Sequence, residues 1–126
     1  MERTEVVVIG SGIAALKTAL EVSKHKHVIL ITKSKIRHSN SYLAQGGIAA
    51  AISEQDEVSY HKKDTLAAGQ KYNEVHAVVK LVEEAPLVIS ELIQSGMHFD
   101  RDQDGGLMLG MEGAHSQRRI LHSHGD

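Results

Sequence analysis

The chain has 126 residues, of which 41% are hydrophobic and 24% charged, with 14 Lys+Arg against 16 Asp+Glu and a net charge of -2. That balance fits one globular domain or a piece of one and lacks the basic face of a nucleic-acid binder; aromatic residues, at 3%, are too few for a base-stacking platform. The absence of cysteine rules out disulfides, thiolate nucleophiles and Cys-ligated metal, and no apolar run reaches the roughly 20 residues that span a bilayer.

Met1 to Glu5 carries acids and runs straight into a strand, unlike a signal peptide, so a cytoplasmic location is expected, with neither membrane nor nucleic acid as partner. Val6-Val7-Val8-Ile9 is a continuous β-branched run ending at glycine, the pattern of a strand buried on both faces of a parallel sheet. From Ile13 to about Lys24, residues Ile13, Leu16, Ala19, Leu20 and Val22 recur at near-helical spacing, and His27 to Thr32 reads as a second buried strand. Strand, glycine turn, helix and strand fit within the roughly 30 residues of one right-handed βαβ unit. Lys33 to Ser41 is polar, without periodicity, and reads as loop. Ala44 to Ile52 is small and apolar, and predicts a buried helix starting after Gly46-Gly47.

A helix is expected from about Glu57 to Ala68, closed by Gly69, and another capped by Asn73. The second carries an apolar stripe of Val75, Val78, Val79, Val82, Ala85, Ile89, Leu92 and Ile93 and ends at Gly96. Pro86 predicts a kink in it or two consecutive helices. His98-Phe99-Asp100 and Leu107-Met108-Leu109 flank Asp102-Gln103-Asp104-Gly105-Gly106, which suggests a short hairpin. The fold class expected is α/β: a Rossmann-like βαβ unit followed by helices and a hairpin.

Gly10-Ser11-Gly12-Ile13-Ala14-Ala15 matches G-x-G-x-x-G/A between that first strand and helix. The first glycine permits a tight turn, the second lets the backbone approach a pyrophosphate, and the third small residue lets helix and strand pack closely. The helix N-terminus would offer N–H groups and partial positive charge to the anion. The competing reading is a tight turn with no ligand. The acidic residue expected about 20 positions on, for a ribose, is missing, since the second strand runs into Thr32-Lys33-Ser34. Lys33 suits a phosphate or ribose hydroxyl, or equally a solvated surface; FAD and NADP stay open.

In Ser39-Asn40-Ser41-Tyr42-Leu43-Ala44-Gln45-Gly46-Gly47-Ile48-Ala49-Ala50, two glycines allow main-chain N–H groups to approach a ring or phosphate, and Ser39, Asn40, Ser41 and Gln45 supply hydrogen-bond groups. A packed helix start explains the run equally well on physical grounds. Together with the glycine turn, however, it resembles the flavin segment of the fumarate reductase, succinate dehydrogenase and L-aspartate oxidase flavoprotein family, where S-x-x-A-Q-G-G-I-A is typical. The resemblance implies FAD, with the dinucleotide on Gly10–Ala15 and Lys33 and the flavin against Asn40–Gly47. Membrane-associated succinate dehydrogenases carry a flavin-linked histidine where this chain has Asn40, so the implied attachment is non-covalent.

The run from Glu112 to Asp126 concentrates three His, two Arg and one Glu. His115, His122 and His124 lack the spacing of a metal set, so no metal is expected. Arg or His for carboxylates and Glu for an ammonium suit an amino dicarboxylate better. The run resembles the E-G-G-H-S-x-R-R-I-L-H stretch of the L-aspartate oxidase members of the family, with Ala114 in place of the second glycine. What this implies is Glu112 orienting a substrate amine, and FAD-dependent oxidation of L-aspartate to iminoaspartate in NAD biosynthesis, with O2 or fumarate as acceptor. The rivals are a soluble fumarate reductase or succinate dehydrogenase flavoprotein, against which Glu112 and Asn40 argue, and a non-enzymatic FAD-binding fragment. By the same resemblance, residues 1–126 are expected to be the N-terminal part of an FAD-binding domain. Catalytic residues and capping domain would then lie beyond Asp126, and the two strands would lack their covering layer.

Overall fold

A computed structural model describes residues 3–125 and divides the chain into a unit ending at Gln45 and a unit beginning at Gly46. In the first, the β-branched run forms strand β1 (Val6–Ile9), paired in parallel with β2 (Val28–Ile31) so that Val6 faces Val28 and Ile9 faces Ile31. Helix α1 (Ile13–Ser23) connects them, as the apolar spacing predicts. The ladder runs one step past β1, where Gly10 N–H donates to the Ile31 carbonyl at 2.8 Å.

Val7, Ile9, Ile13, Leu20 and Ile31 are all exposed, and no described residue of this unit is fully buried. Strands of parallel sheets are normally covered on both faces, so the burial expected of β1 and β2 is not achieved by these residues. The expected Lys33–Ser41 loop is also partly helical. One 3-10 turn spans Ile36–His38, and a short helix α2 (Asn40–Leu43) follows, capped by Ser39, whose hydroxyl oxygen accepts from Tyr42 N–H at 3.2 Å.

The second unit holds β3 (Ile48–Ala49), α3 (Val58–Ala68), α4 (Val75–Gln94), β4 (Leu109–Gly110) and β5 (Ile120–Leu121), with an antiparallel sheet ordered β3-β5-β4. The helix expected after Gly47 is therefore replaced by a strand. Ile48 pairs with Leu121, Ala49 with Ile120, and Ala50 N–H donates to the Arg119 carbonyl at 3.0 Å. Backbone groups that a helix would satisfy locally are instead satisfied by a partner far along the chain.

Gly69 closes α3 as expected, but the left-handed residues after it are Gln70 (φ 47°) and Lys71 (φ 75°). Asn73 does not cap α4: its Nδ2 donates to the Thr65 carbonyl at 3.2 Å, and Glu74 caps instead, accepting from His76 N–H at 3.2 Å. Nor does Pro86 divide α4, which runs unbroken through it. The stripe buries Val78, Val82 and Ile89, and Ile89 joins Ala50, Phe99 and Leu121 in the core. Past Gly96 (φ 94°), the expected hairpin is present as a bridge between Arg101 and Leu107, closed by Asp102 N–H donating to the Gly106 carbonyl at 2.9 Å.

Candidate functional site

The first candidate region lies where β1 gives way to α1. Gly10 takes φ +130°, a conformation L side chains rarely adopt, and a Cβ added there would stand 3.5 Å from Ala15 Cβ, so the small third residue of the motif is what the turn packs on. The first main-chain bond closing α1 runs from Leu16 N–H to the Gly12 carbonyl at 3.0 Å, which leaves the earlier N–H groups of the turn outside the helical ladder. Ile13 N–H is held by Ser41 Oγ at 3.0 Å, and a Cβ on Gly12 would approach that same oxygen at 3.5 Å.

Two stretches singled out in the sequence are thus brought together: Gly10–Ala15 and the segment from Asn40 to Gln45 meet through Ser41. Beside the turn, a cleft of about 410 Å³ is lined by Ile9, Gly10, Ser11, Ile31, Thr32 and Lys33. At its wall the Thr32 hydroxyl lies 3.1 Å from Ser11 Oγ and 2.9 Å from the Ser34 carbonyl. Glycine backbone, N–H groups at a helix start and a lysine at the strand end are the donor set that a dinucleotide phosphate requires, so the residues present fit FAD.

The second region is built by the three-stranded sheet and the loop before β5. His122, just past β5, stands between two glycines. A Cβ on Gly47 would lie 2.8 Å from its Nε2 and collide with Ile120 Cγ2, and one on Gly110 would lie 3.1 Å from its Cε1. Glu112 Oε1 is 3.6 Å from His122 Nε2, while the Glu112 side chain remains 57% exposed. Gly47 and Glu112, far apart in sequence, therefore meet at one imidazole. Gly46 takes φ +104°, a Cβ added there would meet nothing within 4 Å, and Asn40 to Gly47 are exposed throughout.

The other charged residues of the last stretch behave differently from the expectation. Arg119 is not offered to a substrate carboxylate. Fully buried, it donates from Nε and Nη2 to both Asp56 oxygens at 2.7 Å and from Nη1 to Asp64 Oδ2 at 2.7 Å. These bonds raise its pKa above the ordinary arginine value, Asp56 contributing most. Asp64 Oδ2 also accepts from Ser116 N–H and hydroxyl, at 2.8 and 2.7 Å. Partial burial opposes ionisation of Asp64, but the bonds from Ser116 and Arg119 outweigh it and hold the carboxyl down to about 2.

His115 leans on Arg119 Nη1 at 3.2 Å, and its ring sits 5.9 Å from that of buried His61. Burial, then the charge of Arg119, pushes the His61 pKa down. His124 is exposed, its N–H and that of Gly125 capped by Asp100 at 2.9 and 3.0 Å, and Arg118 lines an open cleft of about 470 Å³ with Ser53, Gln55, Gln117 and Met111. The three histidines point to three different places. Sequence reasoning missed the Arg119–Asp56–Asp64 group, for which the sole signal was two acids flanking and entering α3.

A family model described as an FAD binding domain matches residues 5–126. The chain is 46% identical over 121 residues to an L-aspartate oxidase of Halalkalibacterium halodurans, covering 96% of this chain and 24% of that protein. It is 42% identical over 126 residues to an L-aspartate oxidase of Bacillus subtilis, covering 100% of this chain and 24% of that one. The chain thus spans about a quarter of the length of these relatives. Among solved structures, the Mycobacterium smegmatis Sdh1 complex in the apo form superposes with a TM-score of 0.86 at 32% identity, over 94% of this chain and 21% of that one. A quinol-fumarate reductase with menaquinol molecules gives 0.86 at 26% identity, over 95% and 21%.

Proposed function

The chain belongs to the FAD binding domain family, and on that premise we propose that it is the N-terminal quarter of a cytoplasmic L-aspartate oxidase. The turn Gly10–Ala15, with Lys33, would hold the dinucleotide in a Rossmann-like arrangement completed by later strands, and Asn40–Gly47 would lie against the flavin without a covalent link. When bound, FAD supplies the two-electron oxidation that converts L-aspartate to iminoaspartate, with O2 or fumarate as the final acceptor.

The protein residues bind and orient. Gly47 keeps the backbone bare of side chain beside the imidazole of His122, and Glu112 presents a carboxylate to the substrate ammonium. The observation that carries the reading is the contrast between Arg119 and Glu112. The arginine's charge is used up inside the protein, whereas the Glu112 carboxylate is more than half exposed and stands 3.6 Å from the imidazole of His122. A carboxylate left accessible in this way can accept from a substrate ammonium, which L-aspartate has and succinate lacks. The test is anaerobic addition of each compound to the intact FAD-loaded enzyme. Flavin absorbance should bleach with L-aspartate and persist with succinate; bleaching by succinate alone would overturn the assignment.

A further inference from the structure

We propose that Asp64 is a positioning residue for Glu112: from helix α3 it pins the loop between β4 and β5, and so fixes the carboxylate that meets the substrate amine. The inference rests on the assignment of Glu112 made above. One oxygen of Asp64 gathers three donors from that loop and its end, namely Ser116 N–H at 2.8 Å, Ser116 Oγ at 2.7 Å and Arg119 Nη1 at 2.7 Å.

The tie continues to Glu112 through the backbone. His115, next to Ser116, donates its N–H to the Glu112 carbonyl at 3.3 Å across a turn in which Ala114 takes φ 70°. At the base of the loop, Arg119 N–H donates to the Gly110 carbonyl at 3.0 Å. The loop is therefore closed at its base by main chain and held near its middle by a side chain of α3. With that hold gone, Glu112 retains its approach to His122 at 3.6 Å, which is longer than a hydrogen bond.

Asp64 is also the dispensable partner of Arg119. The guanidinium keeps two bonds to Asp56 when Asp64 is lost, so the buried charge stays paired while the loop is freed. A role limited to stability would depress every ligand alike. A positioning role predicts a selective loss that disappears once Glu112 is removed.

The experiment is a double-mutant cycle in the intact holoenzyme, with Asp64→Ala and Glu112→Gln, reading the KM for L-aspartate and the inhibition constant of succinate. Asp64→Ala should raise the aspartate KM about tenfold and change succinate inhibition less than about threefold, and in the Glu112→Gln background it should change the aspartate KM less than about twofold. Ser116→Ala, which removes one bond to Asp64 and leaves Arg119 paired, should shift the same quantities in the same direction and serves if Asp64→Ala does not fold. Equal losses for aspartate and succinate, or an Asp64 effect persisting in full without Glu112, would overturn the proposal. A Glu112→Gln enzyme as selective as the parent would overturn the underlying reading and the proposal with it. A normal Glu112→Gln defect with no effect of Asp64→Ala would overturn the proposal alone.

Discussion

Ile9 in β1 is 82% exposed, whereas Leu121 in β5 is 1% exposed, although both are aliphatic strand residues of one short chain. The first unit is a single βαβ layer whose parallel strands have helix α1 and little else to cover them. The second unit folds three antiparallel strands with α3 and α4, and every buried residue among those described belongs to it. The difference bears on function as well as packing. In the first unit the candidate site is made mainly of backbone, by glycines whose conformation and lack of Cβ would be the recognition chemistry. In the second it is made of side chains, on a loop that a buried ion-pair group ties to α3.

The contrast can be broken at several points. Asp56→Ala should have the largest effect on stability, because it strips two of the bonds from a guanidinium with no solvent access. A loss of about 3–5 kcal/mol is expected in denaturant unfolding of the intact protein. An equivalent truncation of the exposed ion pair between Lys26 and Glu5 in the first unit should cost far less by the same measurement, because solvent screens it. Next in size is Gly12→Val, expected to leave folding in place and to weaken FAD binding at least about tenfold by fluorescence titration. Its branched side chain would fill the approach of the pyrophosphate and press on Ser41 Oγ.

Acid should loosen the ion-pair group of the second unit. The Asp64 carboxyl titrates near 2 when folded against an ordinary value of 3.8, so its contribution is complete above about pH 4 and is lost as pH falls toward 2. Ser116→Ala removes a cause of that depression and should move the acid transition to higher pH. One further effect is expected to be a gain. Ala114→Gly relieves a non-glycine residue at φ 70° and should stabilise the second unit by about 1 kcal/mol in thermal unfolding.

What could be read from sequence followed the range of the interaction. β1, the glycine turn, α1 and β2 were legible because each is specified by its own few residues, and the parallel pairing follows from one crossover. The strand at Ile48–Ala49 was not, since its partner lies at Ile120–Leu121 and a two-residue strand leaves no periodicity. Asn73 looked like a cap in the local pattern, but the carbonyl of Thr65 took its amide. Arg119 looked like a ligand for an anion because its partners, Asp56 and Asp64, stand 63 and 55 positions away. Ala114 shows the mixed case. Its departure from glycine was visible in the sequence, whereas the left-handed backbone that makes the departure costly is visible in the fold alone.

The most direct test of the division between a backbone site for FAD and a side-chain site for the amine is Glu112→Gln in the intact enzyme. FAD affinity and L-aspartate KM would be measured on the same preparation. The predicted result is unchanged FAD binding, with L-aspartate weakened by about 2–5 kcal/mol, less to the extent that solvent reaches the pair, and fumarate little affected. Equal weakening of aspartate and fumarate, or loss of FAD together with aspartate, would contradict it.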